Sequence, residues 1–124
     1  MLLDSNAVIY AIKPDFKELR ELIIEHNPSI SAITYLEVLG YHQLTTEDQL
    51  DFNEFFQVTP IIPISQSIIE KAINLRQNRK MSLGDSIIGA TALLNDMVLI
   101  TANVKDFQWN NNIKLFNPLT NKEV

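Results

Sequence analysis

The sequence contains no cysteine. Disulfides, thiolate zinc sites and cysteine nucleophiles are therefore excluded together. Glycine and proline are scarce, three and five in 124 residues, and no linker, repeat or low-complexity segment divides the chain. No uncharged apolar run approaches the roughly 18 residues that read as a membrane span. The opening, MLLDSNAVIYAIKPD, lacks a basic start and carries an Asp inside its apolar stretch. It does not read as a signal peptide, and the expected location is the cytoplasm. Basic residues are the minority, 10 against 15 acidic, for a net charge of −5. That balance argues against a broadly basic nucleic-acid-binding surface. It does not exclude nucleic acid where several acids hold a divalent ion, because the ion inverts the local field.

What is present is enough apolar material for a core. Hydrophobic residues make up 46% and charged residues 20%, which can cover the ordering entropy and rules out disorder. A chain of this size buries roughly two-thirds of its unfolded surface. One domain spanning 1–124 is expected.

Short apolar runs bounded by polar residues or proline predict strands at 1–3, 29–32, 58–62, 98–101 and 114–116. Between them, apolar residues recur at helical spacing and predict helices at 6–12, 16–25, 34–41, 47–56, 67–78 and 82–95. Strands alternating with helices imply an α/β fold with a central, mainly parallel sheet of about five short strands. In such sheets ligands bind beyond the carboxyl ends of the strands.

Four acids are placed oddly for solvated surface. Asp4 follows the first strand inside an apolar stretch; as a cap it would satisfy free helix N–H groups. Glu37 lies in the apolar run SAITYLEVLGY. Thr34 and Glu37 have the spacing of a capping box, yet a carboxylate buried among those residues would need a partner or a metal. Asp85, in MSLGDSIIGATALLN, shares a helix face with Ile88, Gly89 and Ala92, which argues for an inward carboxylate. Gly84, Gly89, Ala90 and Ala92 would let that helix approach the sheet closely. Asp106 follows the fourth strand, where Asn103 could cap a helical turn and the dipole would favour an acid in its first turn. If the strand ends converge, the four carboxylates share one pocket. Like charges that close need a counter-charge, and the usual one for oxygen ligands is a hard divalent cation.

The residues around these acids form an ordered series. Leu3-Asp4-Ser5-Asn6 leads into AVIYAI. Glu37 stands in SAITYLEVLG and Asp85 in GDSIIGATALLN. Thr101, Asn103, Asp106 and Phe107 follow, and the series closes on IKLFNP. In order and spacing the chain resembles a PIN-domain ribonuclease of the VapC type, the toxin half of a toxin–antitoxin pair. The likeness covers nearly the whole chain. Ser5 stands where the family more often has Thr, Ala102 where a basic residue is common, and Gly89 where Ala is common.

The resemblance implies a three-layer α/β/α PIN-like domain and an endoribonuclease that hydrolyses RNA phosphodiesters with Mg²⁺, or alternatively Mn²⁺. It implies Asp4, Glu37, Asp85 and Asp106 as catalytic metal ligands, with Ser5, Asn6, Thr101 and Asn103 orienting carboxylates or water. It implies a cognate antitoxin and a homodimer as partners. Without the four ligands, 11 acids face 10 basic residues, so the remainder is nearly neutral. Lys13, Arg79, Lys80 and Lys105 are candidates for the RNA backbone, with Lys17, Arg20 and Arg76 behind them. His26 and His42 are expected on surface or loops. Of Phe52, Phe55 and Phe56, at least two are expected in the core. Two alternatives are a receiver-like phosphoacceptor domain, using the late Thr101 and Lys105, and a non-catalytic binding module of the same fold. The motif residues do not distinguish RNA from DNA.

Overall fold

The computed structural model describes residues 1–119; the last positions of the expected 1–124 domain, 120–124, lie outside the described residues. Its strands are very short: β1 Leu2–Leu3, β2 Ser29–Ser31, β3 Ile61–Ile62, β4 Leu99–Ile100 and β5 Leu115–Phe116. The sheet order is β3-β2-β1-β4-β5, and every pairing is parallel. Successive residues of a strand point to opposite faces, and both faces are covered. Leu2 and Leu99 pack with Ile68, Ala72, Leu75 and Ile88. Leu3, Ile30 and Ile100 pack with Val8, Val38, Phe52 and Phe56. That double burial explains why the strands lack polar alternation.

Six helices flank the sheet among the described residues: α1 Ser5–Ala11, α2 Lys17–His26, α3 Ala32–Leu39, α4 Thr46–Gln57, α5 Gln66–Asn78 and α6 Leu83–Leu94. α5 and α6 build the first apolar cluster, while α1, α2 and α4 with Val38 of α3 build the second. The α/β/α layering matches the expectation. Phe52 and Phe56 are buried, and Phe55 is half-buried against them. Among the described residues no helix is long and apolar enough to cross a membrane.

Element starts agree with the sequence reading to within one residue except at β3 and α3. β3 is confined to two residues because Val58 and Thr59 finish α4. The Val58 N–H and the Thr59 hydroxyl both donate to the Phe55 carbonyl, the latter at 2.6 Å. α3 begins two residues earlier than expected, because Ser31 ends β2 and caps the helix at once, accepting the Ile33 N–H at 3.1 Å.

β1 is the middle strand, between β2 and β4. The strand order reverses there, which makes the crevice beyond its carboxyl end the topological switch point. A receiver-type sheet has order 2-1-3-4-5 and would pair the first strand with the third. The observed pairing of β1 with β4 removes that alternative.

Candidate active site

Asp4 is the residue immediately after β1 and the N-cap of α1. One carboxylate oxygen accepts the Ala7 N–H at 2.8 Å, and the other accepts the Thr101 hydroxyl. Thr101 directly follows β4 and is fully buried; its hydroxyl oxygen also accepts the Asn103 N–H at 2.9 Å. The two neighbouring strand ends are thus tied by one carboxylate only 4% exposed. Burial is the main force raising the Asp4 pKa above the usual carboxylate range. The Thr101 and Ala7 hydrogen bonds oppose it, and the Glu37 charge adds to it.

Glu37 comes from α3. The capping box that the Thr34 spacing allowed does not form, since Ser31 is the cap and Thr34 lies inside the helix, fully buried. The Glu37 carboxylate instead accepts the Ser5 hydroxyl at 2.7 Å, and that hydroxyl stands 3.2 Å from Thr34 Oγ1. Glu37 is also exposed rather than buried. Its apolar neighbours Tyr35 and Leu36 are exposed too, Leu36 by 65%, so apolar sequence around the acid did not mean burial of the acid.

Asp85 is in the first turn of α6, where its N–H donates to the Ser82 hydroxyl at 3.1 Å. Its pKa is raised first by burial and next by the charge of Asp106. The Ser82 side chain opposes this, while Asp4 and Glu37 add smaller contributions. Asp106 closes the 3-10 turn Val104–Asp106 and is exposed. Each of the four acids therefore lies within electrostatic reach of at least one other around the switch-point crevice. Asn103 precedes the turn without a side-chain cap. Asn6 is exposed, and its side chain makes no hydrogen bond among the described residues.

The donor set consists of carboxylate oxygens, with hydroxyls behind them. Burial and mutual charge leave it short of positive charge, which suits a hard divalent cation. As the side chains lie, no group of three or more acids or histidines among the described residues is close enough together to hold one ion. Asp4 is held in place by two partners, whereas Glu37 and Asp106 are exposed.

The basic residues divide clearly. Arg79, Lys80 and Lys105 line a crevice of about 480 Å³ together with Asp85 and Asp106. Lys13 lies in a separate groove that shares only Glu37 with the acid site. The Arg20 guanidinium is committed to the carbonyls of Ala11, Lys13 and Pro14, and Arg76 Nε donates to the Met81 carbonyl at 3.3 Å. Lys17 pairs with Glu21 on α2 at 3.8 Å. Each of these three is engaged by a neighbour within the chain. His26 and His42 are exposed, His26 at the end of α2.

Three contributors were not singled out from sequence as part of the site. Thr34 backs Ser5; the signal was Ser31, whose placement makes it the earlier cap. Gly84 was read as easing approach to the sheet, but a Cβ there would fall 2.6 Å from Glu37 Oε2, so its hydrogen makes room for the carboxylate. Trp109 lies under Arg79, whose Cζ is 5.9 Å from the ring centroid; no spacing in the sequence announces that contact.

A family model described as PIN domain matches residues 1–108. Among solved structures the chain is similar to one in a toxin–antitoxin complex from Klebsiella pneumoniae, at 32% identity and TM-score 0.79, covering 94% of this chain and 96% of that one. It is similar at 25% identity and TM-score 0.76, with the same coverage, to a chain of VapBC-1 from nontypeable Haemophilus influenzae. A chain of DNA-bound VapBC from Salmonella typhimurium shares the fold at TM-score 0.81 and 21% identity, again over 94% and 96% of the two chains. A comparison with curated proteins gives no significant match.

Proposed function

The chain belongs to the PIN-domain family, and from that premise we propose that it is the toxin of a toxin–antitoxin pair. In this reading it is a metal-dependent endoribonuclease of the cytoplasm, acting as a homodimer and silenced by a cognate antitoxin protein. The observation that carries the reading is the set of four carboxylates at the switch point, two of them raised by burial and by their neighbours' charge. The likeness to a chain of a toxin–antitoxin complex supports the antitoxin.

Asp4 and Asp85 would hold the ion, with Glu37 and Asp106 completing the set. Mg²⁺ or Mn²⁺ when bound supplies Lewis acidity, lowering the pKa of water and offsetting phosphate charge. The chain's own residues fix the geometry. Thr101 and the Ala7 N–H orient the Asp4 carboxylate, and Ser5 orients Glu37. Ser82 steadies Asp85. The reaction is in-line attack of water on phosphorus with departure of the 3′ oxygen, leaving 5′-phosphate and 3′-hydroxyl ends.

The test incubates purified protein, freed of any partner, with mixed cellular RNA and Mg²⁺ or Mn²⁺, beside EDTA and Asp85→Asn controls. Discrete fragments that vanish in both controls are expected. A folded, partner-free protein that cleaves no RNA with either metal would sink the reading and favour a binding module.

A further inference from the structure

The crevice holding Asp85 and Asp106 is walled on its other side by Arg79, Lys80 and Lys105. Opposite charges share this space, yet among the described residues none of the three cations forms an ion pair or a side-chain hydrogen bond. The ion pairs present lie elsewhere, at Lys17, His26 and Lys114. Cations and acids that face one another without closing leave room for a third body that is anionic along one edge.

Arg79 is the most constrained of the three. It ends α5 with extended backbone, φ −157° and ψ 146°. The 79–82 link is clamped by the Arg76 bond to the Met81 carbonyl. The Arg79 guanidinium lies over the indole of Trp109, within range of a cation–π contact. Trp109 packs against the Leu2–Leu99 side of the core, and its buried N–H has no partner among the described residues. Packing, rather than a hydrogen bond, therefore holds the ring. A guanidinium braced on a fixed ring keeps its planar fork of donors available for phosphate oxygens. A second recess, lined by residues 76–81, continues the basic wall away from the acids.

We propose that Arg79, braced on Trp109 and flanked by Lys80 and Lys105, is a positioning residue that grips the backbone of single-stranded RNA beside the bond to be cut. The proposal rests on the nuclease reading for its substrate. Binding can nevertheless be measured without cleavage.

The experiment titrates a labelled oligoribonucleotide, kept intact by EDTA, into the full chain and follows its anisotropy. Emission from the single tryptophan reports whether the ligand reaches Arg79. Arg79 is exposed, so Arg79→Met should fold as the parent does, checked by circular dichroism. Lys17→Met removes the same charge on α2, away from the crevice. Expected are a saturable emission change in the parent, a tenfold or greater loss of affinity in Arg79→Met, and under twofold loss in Lys17→Met. Arg79→Lys, which keeps charge but not the planar fork, should fall between. The slope of log affinity against log salt should drop by about 0.7 in Arg79→Met, one single-strand phosphate contact. With Mg²⁺ in place of EDTA, Arg79→Met should raise KM and leave kcat near the parent value.

Equal affinity in Arg79→Met and parent, or equal losses in Arg79→Met and Lys17→Met, would overturn the proposal, as would an effect on kcat alone. Arg79-dependent binding by a parent that cleaves no RNA would uphold the grip and defeat the nuclease reading instead.

Discussion

Asp4 and Glu37 lie within electrostatic reach of each other and are held in opposite ways. Asp4 is buried and bound at both oxygens, to α1 through Ala7 and to the end of β4 through Thr101. Glu37 is exposed, held by one hydroxyl, and has room only because residue 84 lacks a side chain. The first carboxylate is part of the fold's hydrogen-bonded frame. The second lies on the exposed surface.

Substitutions can break this contrast, and the largest effect is expected at the anchor. Asp4→Asn keeps an N-cap of similar quality but removes the charge, so RNA cleavage should fall to background while the circular dichroism spectrum stays native. Thr101→Val removes the donor to Asp4 and the acceptor for the Asn103 N–H. A loss of about 1–3 kcal/mol in urea unfolding is expected, with an about 10–100-fold fall in metal affinity or activity. An unchanged unfolding midpoint would show that the anchor is not part of the frame.

The two glycines of α6 sharpen the comparison. Gly84→Ala pushes the Glu37 carboxylate aside, and cleavage should drop about tenfold without loss of stability, because a flexible side chain gives way. At Gly89 a Cβ would meet Leu75, Ile113 and Phe107 at 3.5–3.7 Å, ordinary contact. Gly89→Ala should therefore stabilise by about 0.5–1 kcal/mol and leave cleavage alone, read by thermal melting and initial rates. Equal effects of the two substitutions would erase the difference between site and core.

The smallest expected effect is a pH trend. Burial and the Asp106 charge raise Asp85 in the folded state above its unfolded value of 3.8. The folded protein then holds the proton more tightly than the unfolded chain. This stabilisation is complete below pH 3.8 and is lost as pH rises through the raised folded value. In EDTA, Asp85→Asn should melt above the parent at pH 7 and level with it near pH 3. A higher melting temperature for the parent at pH 7 would contradict the raised value.

Much of this architecture could be read from short apolar runs and the spacing of acids. The parallel sheet and the position of Asp4 at a strand end follow from strands alternating with helices, while the pairing of Asp4 with Thr101 appears only with the observed strand order. Two features resisted the reading for physical reasons. α3 is apolar in sequence, yet Tyr35 and Leu36 face outward, so composition could not reveal the exposure of Glu37. Capping motifs are degenerate at short range: the sequence reading saw cap spacing at Thr34, whereas Ser31 at the end of β2 is the cap. The contacts of Gly84 with Glu37 and of Trp109 with Arg79 join distant segments that no local pattern links.

The pairing of β1 with β4 also sets an order of events during synthesis. Leu2 aligns with Leu99, and Asp4 meets Thr101 across 97 positions of sequence. Contacts so distant in sequence form late and close slowly. A growing chain therefore carries Asp4 long before the strand that fixes it exists, and the crevice cannot be assembled on the ribosome until β4 has emerged.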